Sequence, residues 1–533
     1  MADSLPSAWT PFKSPVFRIL WTGWLLANLC MWMNDVAAAW LMTSLSTSPL
    51  MVALVQTAST FPVFILGVPS GALADIVDRR SILIFTQFWL MATAILLCVT
   101  TLTNTLAPGV LLALTFTNGV GLALRWPAYA ATLPELVDRK ELPAAIALNA
   151  VSMNTSRIFG PIAAGALIAT VGTGWVFALN AGLAVMTAAM LLRWRRERKE
   201  SELPSERFFA AMRVGLQHIR QSPGMHAILA RTALFFLHST GLIALLPLIA
   251  RGFASERGAE SYTLLLASMG VGAIAVVPML PRLRARFTRD QLVTGGTLML
   301  GTAIAAMALA PNVYVGATCM FVAGFVWIAV ANTLAVAAQI ALPDWARARG
   351  MAIYQTSMMG ASAIGAAIWG QVATSTSVPM ALGICATSCI VTVVVARALR
   401  VGGRAEEDLA PARLWKAPEL AVSVEPRQGP VLVTIEYDVD AADEQAFHET
   451  MRESRRSWLA SGLLAWELYM DVTHPGRYIE HLTDESWAEY VRRNERVTAS
   501  YLALRDRKHA FHRGSSAPSV RRYVAKRPER RST

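Results

Sequence analysis

Long apolar segments recur along this chain from Phe17 to Ala396 and constrain its fold more than any other feature. Each segment is close to the roughly 20 residues that cross the hydrocarbon core of a bilayer as an α-helix. Hydrophobic residues make up 54% of the chain and charged residues 16%, against roughly 45–50% and about 25% in soluble domains. The sequence therefore predicts a multi-pass membrane protein, and the bilayer is its first expected partner.

We predict twelve transmembrane helices in two six-helix halves, near residues 14–195 and 226–401, joined by a charged loop at 196–225. The apolar runs lie near 17–43, 49–74, 81–103, 108–131, 142–171, 174–194, 226–250, 260–281, 291–310, 313–341, 350–373 and 378–398. Similar phrases follow the fourth and tenth runs, each with Leu-Pro, an acidic residue, arginines and a helix rich in small residues (133–167 and 342–371). Such a correspondence is typical of a parallel internal repeat.

Basic residues fall on alternate breaks between these runs. The even-numbered breaks carry many, whereas the odd-numbered breaks carry only Arg251 and Arg257. Short loops rich in Lys and Arg stay in the cytoplasm. We therefore expect a protein of the cytoplasmic (inner) membrane with both termini in the cytoplasm. The net charge of +12 then reflects topology, and no nucleic-acid partner is expected.

The five cysteines all lie inside apolar runs and lack metal-ligand spacing, so we expect no metal and no cofactor. The first sixteen residues lack the pattern of a signal peptide, so the first helix is expected to remain in the mature chain.

The phrase GALADIVDRR (71–80) resembles the loop signature of the major facilitator superfamily between helices two and three. The matching positions are Gly71, Asp75, Arg79 and Arg80. The resemblance implies a cytoplasmic latch between the halves, with Gly71 allowing a close helix approach. Ile76 and Asp78 depart from the family pattern, and the alternative is that the two arginines only anchor the topology.

In the fifth run, SRIFGPIAAG (156–165) resembles the antiporter signature of the same superfamily. Gly160, Pro161 and Gly165 match, while Ala164 replaces a glycine. Small residues at this spacing also serve any tight helix contact in a membrane, so antiport and packing both remain open. The arginine expected early in the fourth helix is absent, and Arg125 stands later in it.

Together with WMNDVAAAWLMTSLSTSPL (32–50), these motifs look most like the exporter branch that includes siderophore and drug efflux proteins. The resemblance implies a transporter rather than an enzyme. It would export a small siderophore-like or hydrophobic drug-like substrate by alternating access and proton antiport.

Charged residues inside a membrane are functional candidates by default. Asp35 lies 17 residues past Arg18, or roughly 25 Å along the first helix, and Arg157 lies at a similar depth in the fifth. We predict that Asp35 takes up protons in competition with substrate or with its pairing to Arg157. The alternatives are a static buried ion pair and an aspartate already in water near the outer face.

The family geometry would line a central cavity with helices one, four, seven and ten. Arg125 is the main candidate for contact with a substrate, although snorkelling toward the inner headgroups is the alternative. Four weaker candidates for the cavity are Asn28, Asn34, His238 and Asn332, of which His238 is more typical of a satisfied structural histidine.

Residues 402–428 carry prolines and charges without a period and form a predicted linker. The pattern of residues 429–533 predicts a cytoplasmic α+β domain, in which strands and helices follow the ferredoxin-like order βαββαβ and a basic tail comes last. The phrase RYIEHLTDESWAEY resembles dimeric α/β-barrel domains of the antibiotic-biosynthesis monooxygenase type. A dimerisation or regulatory module, including a homodimer through this domain, is our main interpretation. The alternative is a membrane-anchored enzyme or sensor with His481, Trp487 and Tyr490 in a pocket for an aromatic ligand.

Overall fold

The computed structural model describes residues 9–138, 141–194, 208–253, 258–401, 422–496 and 499–526. Most of the predicted linker, the start of the charged loop at 196–225 and the end of the basic tail lie outside these residues. The chain divides into two compact units. The helical unit comprises Met1–Ser205, Ile228–Ala337 and Ala352–Gly402, and the appended unit comprises Glu206–Ala227, Ala338–Met351 and Gly403–Thr533.

Helices dominate the first 400 residues. Their bounds are α1 Pro15–Leu45, α2 Pro49–Ile76, α3 Arg79–Leu102, α4 Pro108–Thr132, α5 Leu142–Thr170, α6 Thr173–Arg193, α7 Phe208–Gln221, α8 Pro223–Phe253, α9 Gly258–Ala275, α10 Leu280–Arg286, α11 Arg289–Ala308, α12 Val313–Ile340, α13 Asp344–Ser375 and α14 Val378–Val395.

Within the described residues, ten helices are long and apolar enough to cross a membrane. Helices α5 and α13 have comparable lengths of 29 and 32 residues but are richer in small and polar side chains. The protein is therefore a multi-pass helical membrane protein, and the count of twelve spans stays a prediction.

Local capping decides where several helices begin. Proline occupies the first turn of α1, α2, α4 and α5, where its missing N–H costs nothing. Asp78 caps α3, because its Oδ2 accepts hydrogen bonds from the Ser81 N–H at 3.0 Å and from its hydroxyl at 2.9 Å. Thr288 and Gln291 form a capping box at α11. The carboxylate at position 78, where the superfamily pattern has glycine, thus starts a helix.

Small residues let the helices of the helical unit pack closely. In the first half (α1–α6), α2 packs on α4, α1 on α5 and α6, and α3 on α4 and α6. A Cβ at Gly119 of α4 would lie 2.7 Å from the Ser59 carbonyl oxygen of α2. In the second half (α8–α14), α11 packs on α14, and α5 contacts α9 across the halves.

The appended unit contains a four-stranded antiparallel sheet in the order β2-β3-β1-β4. Its elements are β1 Val431–Asp438, α15 Glu444–Ala460, β2 Ala465–Met470, β3 Arg477–Asp484, α16 Trp487–Glu495, α17 Ala499–Ala510 and β4 Ser519–Val524. Alternate residues of β3, namely Tyr478, Glu480, Leu482 and Asp484, are buried on one face. The four strands and the first helix follow the predicted order, but two helices, α16 and α17, stand between β3 and β4 where a single one was predicted.

Candidate functional site

The two halves of the helical unit meet at the end that carries the α1–α2 turn. Arg251 Nη1, near the end of α8, donates a hydrogen bond to the Thr43 carbonyl at 2.6 Å. The Leu50 N–H, at the start of α2, donates to Thr374 Oγ1 of α13 at 3.0 Å. We call the set of contacts between the halves the seam.

The seam continues toward the middle of the helices. Thr57 Oγ1 of α2 donates to the Ala363 carbonyl of α13 at 2.8 Å. The rings of Trp40 and Tyr262 stack with centroids 5.2 Å apart. These side-chain contacts can form and break without unfolding either half.

Asp35 lies on α1 and is half-buried. Its Oδ1 accepts a hydrogen bond from Ser59 Oγ of α2 at 2.8 Å. The bond comes from a neutral hydroxyl, so the carboxylate keeps capacity for a proton or a second donor.

Arg157 lies at the seam. Its guanidinium carbon is 4.3 Å from the ring centroid of Trp327 in the second half and 5.6 Å from that of Trp32 in the first. Its Nε is buried without a hydrogen-bond partner. Among the described residues no ion pair joins Arg157 to Asp35, whose partner is Ser59. The structure therefore does not contain the buried ion pair that was one alternative.

The glycines of the antiporter-like motif are packing positions of α5. A Cβ at Gly160 would lie 2.6 Å from Trp32 Cβ, and one at Gly165 would lie 2.8 Å from Thr263 Oγ1 of α9. Pro161 lies inside the helix. Gly160 thus brings α5 against α1, and Gly165 brings it against the second half.

The latch residues contact their own half in this conformation. Arg79 Nη1 donates to the Ala131 carbonyl and to Glu135 Oε1, both at 2.6 Å. Arg80 Nε donates to the Trp194 carbonyl at 2.6 Å. A Cβ at Gly71 would meet no described heavy atom within 4 Å, so the close approach expected there is not found. The side chain of Asp75 lies outside the described part of the chain.

Arg125 lines a cavity inside the first half rather than the seam. This cavity of about 30 Å³ lies between α1, α3, α4 and α6 and also contains Asn34. The guanidinium carbon of Arg125 is 5.2 Å from the ring centroid of Trp24. Arg125 is 4% exposed, and its Nε and Nη2 have no hydrogen-bond partner. A side chain that snorkelled to the headgroups would be exposed at its tip, so the geometry does not favour that alternative.

The other three predicted cavity residues lie in different surroundings. Asn28 is fully buried, and its amide atoms have no hydrogen-bond partner. His238 is bonded at both ring nitrogens, to the Leu234 carbonyl at 2.7 Å and to Ser388 Oγ at 2.9 Å, as a structural histidine is. Asn332 is exposed and accepts a hydrogen bond from Arg284 of α10. The structure therefore does not bring the five predicted cavity residues together.

Sequence reasoning missed three polar residues of the first-half cavity. Gln87 of α3, Asn118 of α4 and Asn180 of α6 line it. The sequence does contain a signal for them. Each is a polar side chain inside an apolar run, and burying a polar group in the membrane costs free energy unless it has a function or a partner there. The family geometry points to helices one, four, seven and ten, which leaves out the helices of Gln87 and Asn180 but not that of Asn118.

The appended unit separates the residues of the enzyme alternative. His481 lies on β3 between the buried residues Glu480 and Leu482, so it points to the opposite face of the sheet. Trp487 and Tyr490 pack with Leu482 on the helix-covered face. The expected pocket is therefore not formed. Among the described residues, no group of three or more His, Cys, Asp or Glu side chains is arranged to hold a metal ion.

Buried ion pairs occupy the helix-covered face instead. Lys508 Nζ donates to Glu480 Oε2 at 3.1 Å and to Ser454 Oγ at 2.9 Å. Arg493 binds Asp484 in a bidentate pair at 2.7 and 2.8 Å. Burial opposes ionisation of Glu480, but the charge of Lys508 and hydrogen bonds from Trp466, Lys508 and Tyr437 hold its pKa below the usual carboxyl value.

A protein-family model described as "Transmembrane secretion effector" matches residues 6–530. Over 203 residues the chain is 29% identical to the "Uncharacterized MFS-type transporter YfiS" of Bacillus subtilis (strain 168), covering 37% of this chain and 48% of that protein. It is 23% identical to Macrolide efflux protein A of Streptococcus pyogenes, covering 44% and 59%. It is 26% identical to the Staphyloferrin A transporter of Staphylococcus aureus (strain NCTC 8325 / PS 47), covering 26% and 35%.

The chain thus spans less than two thirds of the length of each of these curated relatives. Solved structures are similar in fold. The nucleoside transporter NupG matches with a TM-score of 0.58 at 11% identity, covering 72% of this chain and 99% of that one. A bacterial homologue of the human lysosomal transporter Spinster, in an inward-facing conformation, matches with a TM-score of 0.54 at 16% identity, covering 72% and 95%.

Proposed function

Because the chain belongs to the transmembrane secretion effector family of major facilitator superfamily transporters, we propose that it exports a small molecule by proton antiport with alternating access. The observation that carries this proposal is the seam, where hydrogen bonds of side chains join α1 and α2 of the first half to α8 and α13 of the second. Twelve spans in two six-helix halves, in the cytoplasmic membrane, are part of the proposal.

The contacts at the seam indicate which state of the transport cycle this structure represents. If both termini are cytoplasmic, as the loop charges predict, the α1–α2 turn faces outside. The hydrogen bonds of Thr43 and Leu50 with Arg251 and Thr374 then close the outer end. In this state, with the outer end closed, Arg79 and Arg80 bind groups of their own half. When the outer end opens, they and Asp75 act as the cytoplasmic latch.

Asp35 is the proposed proton carrier. Its hydrogen bond from Ser59 holds the carboxylate between α1 and α2, two helices that also take part in the seam. Protonation removes a negative charge at this position and thereby shifts the equilibrium between the conformations in which the seam is closed and open. Arg157 contributes through its contact with Trp327 across the halves, because a cation over an aromatic ring is attracted to it.

The substrate class is proposed from the relatives. By their names, Macrolide efflux protein A handles macrolides and the Staphyloferrin A transporter handles staphyloferrin A. A siderophore-like or hydrophobic drug-like export substrate follows for this chain.

The appended unit is proposed to be a ferredoxin-like regulatory or dimerisation module rather than an enzyme, because ion pairs and aromatic side chains fill its helix-covered face. It also holds cytoplasmic segments of the transporter part. Arg213 of α7 pairs with Glu485 at 2.6 Å. The guanidinium carbon of Arg496 lies 5.0 Å from the ring centroid of Trp345 at the start of α13.

Transport into inverted membrane vesicles tests the proposed function. Vesicles carrying the full chain should accumulate a macrolide or a carboxylate siderophore when a proton gradient is imposed, and a protonophore should abolish the uptake. Vesicles carrying Asp35→Asn serve as the matched control. Equal accumulation in empty vesicles and in vesicles carrying the full chain, for both probes, would reject export of these classes.

A further inference from the structure

The cavity of the first half is separate from the seam. Every residue that lines it belongs to α1, α3, α4 or α6, and its volume is about 30 Å³. About 10–15 Å³ of such space is enough to hold one water molecule, so the cavity has room for about two water molecules, one small ion or the end of a ligand, but not for a drug-sized molecule.

Residues on all four helices bring polar atoms without partners to this cavity. The buried atoms that make no hydrogen bond to protein are Arg125 Nε and Nη2, Asn34 Nδ2, Gln87 Oε1 and both amide atoms of Asn180. Arg125 and Asn34 are each 4% exposed, and Asn180 is 2% exposed. Buried polar atoms are normally satisfied, so this concentration in one cavity indicates a missing partner.

The charge of Arg125 defines that partner further. In the part of the chain that the structure describes, no carboxylate forms an ion pair with Arg125, and its guanidinium carbon lies 5.2 Å from the ring centroid of Trp24. A buried cation is unfavourable unless an anion compensates it. Water would satisfy the hydrogen bonds but would not neutralise the guanidinium.

We propose that this cavity binds one monovalent anionic group, with Arg125 as its counter-charge and the side-chain amides of Asn34 and Asn180 as further donors. Charge-assisted N–H donors suit a halide ion and a carboxylate equally. The group is therefore either a free halide or the carboxylate of a bound organic molecule. This inference does not depend on the direction or the coupling of transport.

Thermal unfolding of the purified full chain in detergent tests the proposal. Sodium gluconate is replaced stepwise by sodium chloride, or by sodium formate, at constant sodium concentration. A bound ligand stabilises the native state in a saturable manner, so the midpoint should rise by at least about 2 °C and then level off. Arg125→Gln should remove the rise. Arg157→Gln is the matched control and should retain the rise. Arg157 is also an intramembrane arginine whose Nε has no hydrogen-bond partner, but it lies at the seam and does not line the cavity.

The two anions distinguish the sources. A rise with chloride alone identifies a free halide site, and a rise with formate alone identifies a carboxylate site. Equal midpoints in chloride, formate and gluconate would overturn the proposal in favour of water, as would an unchanged rise in Arg125→Gln.

A second variant keeps the test decisive if Arg125→Gln does not fold. Asn180→Asp places a carboxylate in the cavity opposite Arg125. This variant should be more stable than the natural chain in gluconate and should lose its response to chloride and formate. A full response in Asn180→Asp would contradict the proposal.

Discussion

At the scale of single residues, the charged side chains inside the helical unit have unlike partners. Asp35 has a serine hydroxyl, Arg157 has two indole rings, and Arg231 has the carboxylate of Asp290 at 3.6 Å besides the carbonyls of Ala396 and Leu399 and Thr294 Oγ1. Charges in a membrane are costly without such partners. The carboxylate of Asp35, held by a neutral group, is the one best suited to exchange a proton.

Asp35→Asn should therefore abolish gradient-driven accumulation while leaving the folded yield and substrate exchange near normal. No cation is stranded by the change, because the partner of Asp35 is Ser59. Folded yield by size-exclusion chromatography and uptake by vesicles measure the two effects, with Ser59→Ala as the control that keeps a titratable carboxylate. A large loss of folded protein that Arg157→Gln restores would instead indicate an ion pair.

In the appended unit, Glu480→Gln should destabilise the sheet strongly. Glu480 is fully buried and Lys508 is 1% exposed, so the change strands a buried ammonium at a cost of about 3–5 kcal/mol. Adding Lys508→Met should recover much of this loss. Hydrogen exchange of β1 and β3 in the full chain measures the effect, and exchange rates unchanged by Glu480→Gln would show that the pair contributes little.

The same carboxyl group predicts a pH dependence. The pKa of Glu480 is lowered in the folded state, so its contribution to stability is complete above the unfolded value of about 4.3 and is lost as the pH falls through the folded value. Hydrogen exchange in β1 and β3, corrected for its intrinsic pH dependence, should therefore show protection falling below about pH 4. Glu480→Gln should flatten this profile, and a profile identical in both proteins would contradict the assignment.

At the scale of elements, α5 carries contacts to both halves. α1 packs closely against α5 at Gly160, and α9 packs closely against α5 at Gly165. One face of α5 therefore belongs to the core of the first half and another face belongs to the seam. The glycines of the antiporter-like motif therefore have a packing role, whatever the coupling ion is.

Gly165→Leu should prevent the seam from closing, because its side chain meets Thr263 at once. Overpacking typically costs about 1–3 kcal/mol, and here the cost falls on one conformation of the transporter. We expect transport to fall at least tenfold with the folded yield retained. Gly182→Leu in α6 is the matched control, since a Cβ there meets no described atom within 4 Å. Equal transport by the two variants would show that the contact is dispensable.

The ends of the helices explain why basic residues lie where they do. Arg80 Nε binds the Trp194 carbonyl just past the end of α6, and Arg231 binds the carbonyls of Ala396 and Leu399 just past the end of α14. The last carbonyls of a helix need such donors. Arg80, one of the basic residues behind the predicted topology, thus also binds a backbone group of its own half, whereas Arg231 does so from inside the seventh apolar run.

At the scale of the whole molecule, the appended unit combines three stretches of chain that are distant in sequence. Nδ1 of His218 in α7 lies 3.2 Å from the Ala460 carbonyl oxygen, and the ring centroids of His218 and Trp345 are 5.3 Å apart. Arg213 pairs with Glu485. Contacts with the sheet domain therefore hold α7, which in turn contacts the start of α13.

Reversing the Arg213–Glu485 pair tests whether this arrangement regulates transport. Arg213→Glu and Glu485→Arg should each expose α7 to proteolysis and change the transport rate, whereas the double variant should recover both. The pair is about one third exposed, so each single change should cost about 1 kcal/mol or less. Limited proteolysis of the full chain in membranes is the measurement. Failure of the double variant to recover protection would show that other contacts hold α7.

The sequence by itself determined the membrane class, the position of most helices and the positions of the four strands after residue 430. Hydropathy and periodicity determine these features, and both act over about 20 neighbouring residues or fewer. Only the tertiary structure decided which polar side chains meet. Asn34, Gln87, Arg125 and Asn180 come from four helices, and Arg157 reaches Trp327 from the other half. The rotation of each helix about its axis depends on small residues that contact distant segments, so no single apolar run could reveal these groupings.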